Sequence, residues 1–243
     1  MSYIRVKKYF KTGIFYPGTI AFLTTPFYFA RKGLFNGVKE FALELTGDLL
    51  DVGCGTKPYQ ELFDVNRYVG LEIDTEASRK KGVSDYFYDG VTFPFADNIF
   101  DSVLCNQVLE HVFTPDEFLT EINRVLKDGG KLLLTAPFVW DEHEQPFDYA
   151  RYSSFGLKAL LERNGFYIIR HKKLGADFTI VFQLINAYLF KVTQTCPRLI
   201  NIIFRIMLVT PINLLGIAAG RLFPKNPDLY LDHIILARKN DPI

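Results

Sequence analysis

Leu49-Leu50-Asp51-Val52-Gly53-Cys54-Gly55-Thr56 is an apolar run that ends in an acid and two closely spaced glycines. Leu49, Leu50 and Val52 read as the end of a buried strand, and Thr56 is placed to cap a helix running from Lys57 to Phe63. A Gly-x-Gly turn there lets backbone approach a ligand closely, at the carboxyl edge of a parallel sheet where α/β proteins bind nucleotides. The same turn can also join a strand to a helix with no ligand at all, so its meaning depends on the residues downstream.

Three later features agree with it, in order. Arg67-Tyr68-Val69-Gly70-Leu71-Glu72-Ile73 reads as a second strand whose end carries an acid, Glu72, about twenty residues after the first glycine, the usual offset for a carboxylate that grips ribose hydroxyls. Tyr86-Phe87-Tyr88-Asp89-Gly90 gives a third strand ending in an acid. Phe100-Asp101-Ser102-Val103-Leu104-Cys105-Asn106 gives a fourth, followed by Gln107-Val108-Leu109-Glu110-His111-Val112.

With these motifs in register, Asp48 to Phe166 resembles the class I S-adenosylmethionine-dependent methyltransferases, in particular the type 11-like subgroup with Asp-Val-Gly-Cys-Gly, Pro-Phe-x-Asp-x-x-Phe-Asp and Leu-Glu-His-Val signatures. A dinucleotide-binding dehydrogenase is the rival, but its Gly-x-Gly-x-x-Gly fingerprint needs glycine at 58, where Pro58 stands. Some methyltransferases carry a third glycine two residues after the second; here that place is Lys57. The resemblance implies a Rossmann-like α/β fold of seven strands in the order 3-2-1-4-5-7-6, with strand seven antiparallel. It implies S-adenosyl-L-methionine as cofactor. Asp51, Gly53 and Gly55 would surround its methionine part, Glu72 would take its ribose hydroxyls, Asp89 its adenine amine, and Asn106 would line the pocket floor, with Cys54, Ile73 and Gly90 also among the cofactor-binding residues.

The chain is long enough for one large core, and class I catalytic domains need fewer than its 243 residues, which leaves about 80 for additions. Cys54, Cys105 and Cys196 are too few and too scattered for a disulfide framework or a zinc site, as expected of a reducing cytoplasm. The formal net charge of +1 hides an asymmetry. Lys and Arg stand 7 against 1 Asp or Glu in residues 1–40, 11 against 22 in 41–165, and 10 against 4 in 166–243. An acidic body thus sits between two basic flanks rich in Phe, Ile and Leu. Because the bases are scattered among aliphatic residues rather than clustered, an anionic membrane surface on the inner face fits better than nucleic acid.

Residues 1–47 read as a basic, apolar extension, and 48–243 as the catalytic domain with a helical insertion over 177–224. In the extension, Arg5, Lys7, Lys8 and Lys11 precede an apolar stretch that Pro26 and Thr24-Thr25 interrupt, unlike a signal peptide. Between the sixth strand (Phe166 to Lys172) and the seventh (Leu229 to Ala237), which the resemblance would join by a short hairpin, stand two apolar runs, Phe178 to Phe190 and Leu199 to Gly220. The first is about a dozen apolar residues, roughly 18 Å of helix against a hydrocarbon core of about 30 Å. Asn201, Arg205, Pro211 and Asn213 break the second. Interfacial helices are expected, or a homodimer interface built from the same insertion.

A hydroxyl acceptor is a weak nucleophile until a base removes its proton, and histidine is the usual side chain for this. His143, between Glu142 and Glu144 in the long loop after the fifth strand, is the candidate catalytic base, with His111 second; His171 and His233 fall in late strands and read as structural. Trp140, Tyr149, Arg151 and Tyr152 in the same loop are candidate acceptor-binding residues. Glu110, His111 and His143 could be assembled into a metal site only by the fold, since their spacing has no specificity, and none is expected. The loop is similar to those of methyltransferases of polysaccharide biosynthesis, which implies O-methylation of a sugar or lipid-linked glycan. A quinone-like or other lipid acceptor, or a non-catalytic cofactor-binding scaffold, are the alternatives.

Overall fold

The computed structural model describes residues 15–193 and 198–240. Arg5, Lys7, Lys8, Lys11 and Cys196 lie outside the described residues. The chain divides into two compact units, one of residues 1–36, 139–141 and 173–232, the other of 37–138, 142–172 and 233–243.

The second unit is built on the sheet. Its strands are β1 (Asp48–Val52), β2 (Arg67–Ile73), β3 (Tyr86–Tyr88), β4 (Phe100–Asn106), β5 (Leu126–Pro137), β6 (Phe166–Leu174) and β7 (Asp232–Lys239), in the order 3-2-1-4-5-7-6 that the resemblance implied. β1 pairs in parallel with β2 and with β4, β2 with β3, and β4 with β5. The chain orders of β6 and β7 run oppositely: Leu231 N donates to Leu174 O at the end of β6, and Asn240 N to Gly165 O before its start. Sequence order reverses at β1, so β2 and β4 leave it on either side and open a crevice at the carboxyl edge.

Burial on both faces explains why these strands are runs rather than alternations of apolar residues. Leu49 and Leu133 are 0% exposed on one face, and so are Leu50, Val52, Val103, Leu132 and Leu134 on the other. Against this second group pack α4 (Pro115–Val125), through Phe118, Leu119, Ile122 and Val125, and α5 (Ser154–Arg163), through Leu157, Leu160 and Leu161.

Local signals are kept with some corrections. Ser153 caps α5 by accepting from Gly156 N, and Thr75 with Ser78 forms a capping box at α3 (Glu76–Lys81). Thr114-Pro115-Asp116-Glu117 has the sequence of a capping box with proline in the first turn, and Pro115 does start α4, but the Thr114 side chain makes no cap hydrogen bond, so no capping box forms. The helix expected over Lys57 to Phe63 reduces to a 3-10 turn, Gln60–Leu62. α4 ends before Leu126, because the backbone there is already extended; Asp128-Gly129-Gly130 lies within β5, where the register against β4 shifts between Phe100 and Ser102.

The first unit holds α1 (Thr19–Thr24), the start of α2 (Tyr28–Ala42), α6 (Thr179–Thr193) and α7 (Arg198–Leu222). Several of its polar residues are paired inside. Gln183, 0% exposed, accepts from Phe29 N and Ala30 N in the first turn of α2 and donates to Pro26 O, acting as a cap from a distant helix. Asn186 donates to Asn213, which donates to Phe22 O. No helix among the described residues is long and apolar enough to cross a membrane.

Candidate active site

The crevice begins at the turn after β1. Gly53 N and Cys54 N both donate to Leu71 O, folding the chain back onto β2. Gly53 has φ +68, and a Cβ there would stand 2.4 Å from Val108 Cγ2, so conformation and packing both demand glycine. Gly55, at φ +53, differs: nothing lies within 4 Å of where its Cβ would be. The space beside its Cα is open, room that a ligand lying against the backbone would need.

The acids are arranged around that turn. Gly55 N donates to Glu72 Oε2 at 2.8 Å, and Ile73 N lies 3.2 Å from Oε1. Asp51 is 3% exposed and takes a 2.6 Å hydrogen bond from the Tyr68 hydroxyl. Burial pushes its carboxyl up to about 7, against the opposing pull of Tyr68 and Lys57. Asp89 faces solvent after β3, and its Oδ1 accepts from Thr92 N and Val91 N, which hold its carboxyl below the ordinary range. Gly90 follows at φ +93, with Ile73 Cδ1 3.5 Å from its would-be Cβ. Asn106 ends β4, its Oδ1 accepting from Thr135 Oγ1, and Gln107 beside it is held at φ +56 by Thr135.

Lys57 has a left-handed backbone at φ +50. Its side chain turns away from the crevice to Asp85, and only 9% of it is exposed. The stem crosses Gly70, whose Cβ would clash with Lys57 Cε at 2.3 Å. Burial raises the Asp85 carboxyl, but donation from Gly70 N and from Lys57 outweighs it and the net direction is down. Sequence reasoning missed Asp85 and Tyr68, because neither belongs to a motif; only the strand register puts them beside Lys57 and Asp51.

A second cluster of side chains lies after β4. His111 ends a 3-10 turn, Leu109–His111, and its Nδ1 sits 2.8 Å from Phe147 O. His143 stands with its ring edge-on to His111, centroids 4.9 Å apart. Glu110, 0% exposed, completes the group: one ligand atom from each of Glu110, His111 and His143 lies within 4.8 Å of the others. Thus the fold joins three residues whose spacing carried no signal.

His143 is positioned by its own loop. Asp148 Oδ2 accepts from His143 N at 2.9 Å and lies 3.2 Å from His143 Nδ1. Arg151 grips Asp148 with both guanidinium nitrogens, at 2.6 and 2.7 Å, and approaches His143 Nδ1 at 3.3 Å. Burial raises the Asp148 carboxyl, yet these donors and charges overcome it and bring it to about 2. Arg151, expected to meet an acceptor, is therefore engaged with Asp148 and Ala150 O. Opposite charges three residues apart, Asp148-x-x-Arg151, were the one local cue to this pair. Tyr149 is 45% exposed and packs its ring on Phe113. Tyr152 is half-buried against the core, and Trp140 belongs to the first unit, against Phe27.

Residues 50–134 match the family model described as a methyltransferase domain. Among curated proteins, the chain is 34% identical over 88 residues to an uncharacterized protein of Methanocaldococcus jannaschii, covering 35% of this chain and 42% of that one. It is 30% identical over 125 residues to demethylmenaquinone methyltransferase of Symbiobacterium thermophilum, covering 44% and 46%. The matched regions span less than half the length of these relatives. Among solved structures, the cyclase SpnF aligns with a TM-score of 0.54 at 20% identity, over 84% of this chain and 81% of that one. Phosphoethanolamine N-methyltransferase 2 of Haemonchus contortus, in complex with S-adenosyl-L-methionine, aligns with a TM-score of 0.51 at 19% identity, over 85% and 52%. The fold is the class I methyltransferase fold.

Proposed function

We propose that this chain, whose residues 50–134 form a methyltransferase domain, is an enzyme that moves a methyl group from S-adenosyl-L-methionine to a hydroxyl of a sugar or lipid-linked glycan. A cyclase also has this fold, so the reaction is read from the site. The observation that carries it is the tie between Gly55 and Glu72 at the carboxyl edge of β1 and β2. It puts a bare glycine backbone, suited to the methionine end, beside a carboxylate suited to paired ribose hydroxyls.

S-adenosylmethionine supplies an electrophilic methyl that leaves sulfur as oxygen attacks. Asp51, Gly53, Cys54 and Gly55 hold the donor's amino-acid end, Glu72 and Ile73 its ribose, Asp89 and Gly90 its base, and Asn106 the floor beneath it. Such transfer depends mostly on holding donor and acceptor in line and excluding water. The proton of the acceptor hydroxyl is taken at the Glu110, His111 and His143 cluster, with His143 the catalytic side chain. Exposed aromatic rings of Phe147 and Tyr149 support a sugar acceptor, since a pyranose presents an apolar face for stacking.

An anionic membrane surface on the cytoplasmic side would bring a lipid-linked acceptor to the enzyme. Supporting this, α7 exposes Met207, Pro211, Leu214, Leu215 and Leu222 at helical spacing, with Arg221 among them. Tritiated methyl transfer into total glycans and lipids tests the reading. Label in lipid-linked sugar is the expected result. Label confined to quinone-like lipids would replace the acceptor, and tight cofactor binding with no label anywhere would leave a scaffold.

A further inference from the structure

Glu110 and His111 follow β4, whereas His143 comes from the loop after β5, and the fold brings one ligand atom of each within 4.8 Å of the other two. Ligands about 2 Å from a tetrahedral ion stand roughly 3.3 Å apart, so side-chain rotations closing the group by up to about 1.5 Å would complete the coordination. The donor set is two imidazoles and one carboxylate. That combination suits zinc and its first-row neighbours rather than magnesium or calcium, which prefer oxygen alone.

The surroundings of each donor are those of a ligand. A histidine that binds metal through one nitrogen usually hands the other to a carbonyl or carboxylate. His111 Nδ1 faces Phe147 O at 2.8 Å, which leaves Nε2, 3.9 Å from Glu110 Oε1, for an ion. His143 Nδ1 faces Asp148 Oδ2 at 3.2 Å. Arg151 Nη2 lies 2.7 Å from that oxygen and 3.3 Å from the ring nitrogen, and so holds Asp148 against the ring. In the tautomer whose Nδ1 proton points at Asp148, Nε2 is the ligating nitrogen. Glu110 is fully withdrawn from water, a costly place for a carboxylate that a neighbouring cation offsets.

We infer that Glu110, His111 and His143 bind one divalent first-row transition-metal ion, zinc in the first instance, with a fourth position open to a ligand. Three protein ligands and an open place are the pattern of a catalytic rather than a structural site. The binding itself stands on the donor geometry; its role rests on the proposed transfer to a hydroxyl. With the ion bound, His143 serves as ligand, the acceptor hydroxyl ionises on the ion with its proton passing to water, and the alkoxide oxygen attacks the methyl carbon as the carbon–sulfur bond breaks.

The test is a titration of chelator-stripped full chain with cobalt(II) alone, read by visible absorption, then displacement by zinc(II) read by metal analysis after gel filtration. One ion per chain is expected. Asp148→Asn should weaken binding about 10- to 100-fold, the effect of removing a supporting partner, and His143→Ala should weaken it further. His143 lies in a half-buried loop, so its variant keeps the test valid if Glu110→Gln does not fold; unchanged S-adenosylhomocysteine affinity certifies the fold. No stoichiometric ion, or an ion whose affinity His143→Ala leaves unchanged, overturns the site. Because neither methyl donor nor acceptor is present, failure here is separate from failure of the methyltransferase reading. A protein that binds the ion but methylates no hydroxyl keeps the site and loses its role.

Discussion

The backbone N–H of Gly55 donates to Glu72 Oε2 at 2.8 Å, so the acid that closes β2 is fastened to the glycine turn that closes β1. One oxygen of Glu72 thereby sets the shape of the turn while the carboxylate faces the place proposed for ribose. Glu72→Ala should weaken S-adenosylhomocysteine binding by roughly 1.5 to 3 kcal/mol, the range for a hydrogen bond to a charged acceptor. Calorimetry reads this directly. Unchanged affinity in a folded variant would remove Glu72 from the site.

Asp51 offers a test in which stability and binding move oppositely. Its carboxyl, at about 7 in the folded chain, binds a proton more tightly than in the unfolded chain. Stability from this group is therefore full below the unfolded value near 4 and is lost as pH rises toward 7, by at most about 4 kcal/mol. Asp51→Asn should flatten that part of the pH profile in urea melts and raise stability at pH 8, while weakening cofactor binding. An unchanged slope between pH 4 and 7 would show that Asp51 does not titrate in that range.

His143→Ala should lower turnover by about 10² to 10⁴ and leave cofactor affinity alone, whether the imidazole takes the proton itself or holds an ion on which the hydroxyl ionises. Separate measurement of turnover and S-adenosylhomocysteine affinity decides it. A variant that loses both together would mark His143 as structural.

His233 is 0% exposed, with Nε2 2.8 Å from Tyr152 O and Nδ1 2.9 Å from His171 Nε2. His233→Phe fills the space but leaves the Tyr152 carbonyl and the His171 ring nitrogen without this partner. A loss of about 1 to 3 kcal/mol is expected in urea denaturation. A variant as stable as the wild type would make the histidine pair incidental.

The sheet was legible because each strand from β1 to β5 is a largely continuous apolar run, a local signal that survives without partners. The positions of Asp51, Gly53, Glu72 and Asp89 at the strand ends were legible for the same reason: each sits at a fixed place relative to its own strand. The cluster around His143 was not. Asp148 and His143 are near in sequence, but Glu110 and His111 reach them only across a long loop, and no periodicity encodes that meeting. Thr56 is a good cap residue, so a helix from Lys57 was the natural expectation. The competing force was tertiary, an ion pair with Asp85 that draws the side chain across Gly70 and leaves no helical continuation until Gln60.

α7 carries an exposed apolar stripe. Leu215 and Leu222 are 60% and 81% exposed, seven residues apart on one helix face, with Arg221 adjacent. The buried Asn213 is already satisfied inside the unit, so the helix is packed through its other side and the stripe is left to face outward. If it lies on an anionic bilayer, the protein should co-float with vesicles of anionic lipid and be released only in part as salt rises, because exposed charges are screened while buried apolar area is not. Leu215→Glu with Leu222→Glu should abolish flotation at every salt concentration while leaving S-adenosylhomocysteine affinity unchanged. Wild-type protein that ignores vesicles at low salt, yet runs as a dimer that the same pair of substitutions splits, would assign the stripe to a second copy of the chain instead of a membrane.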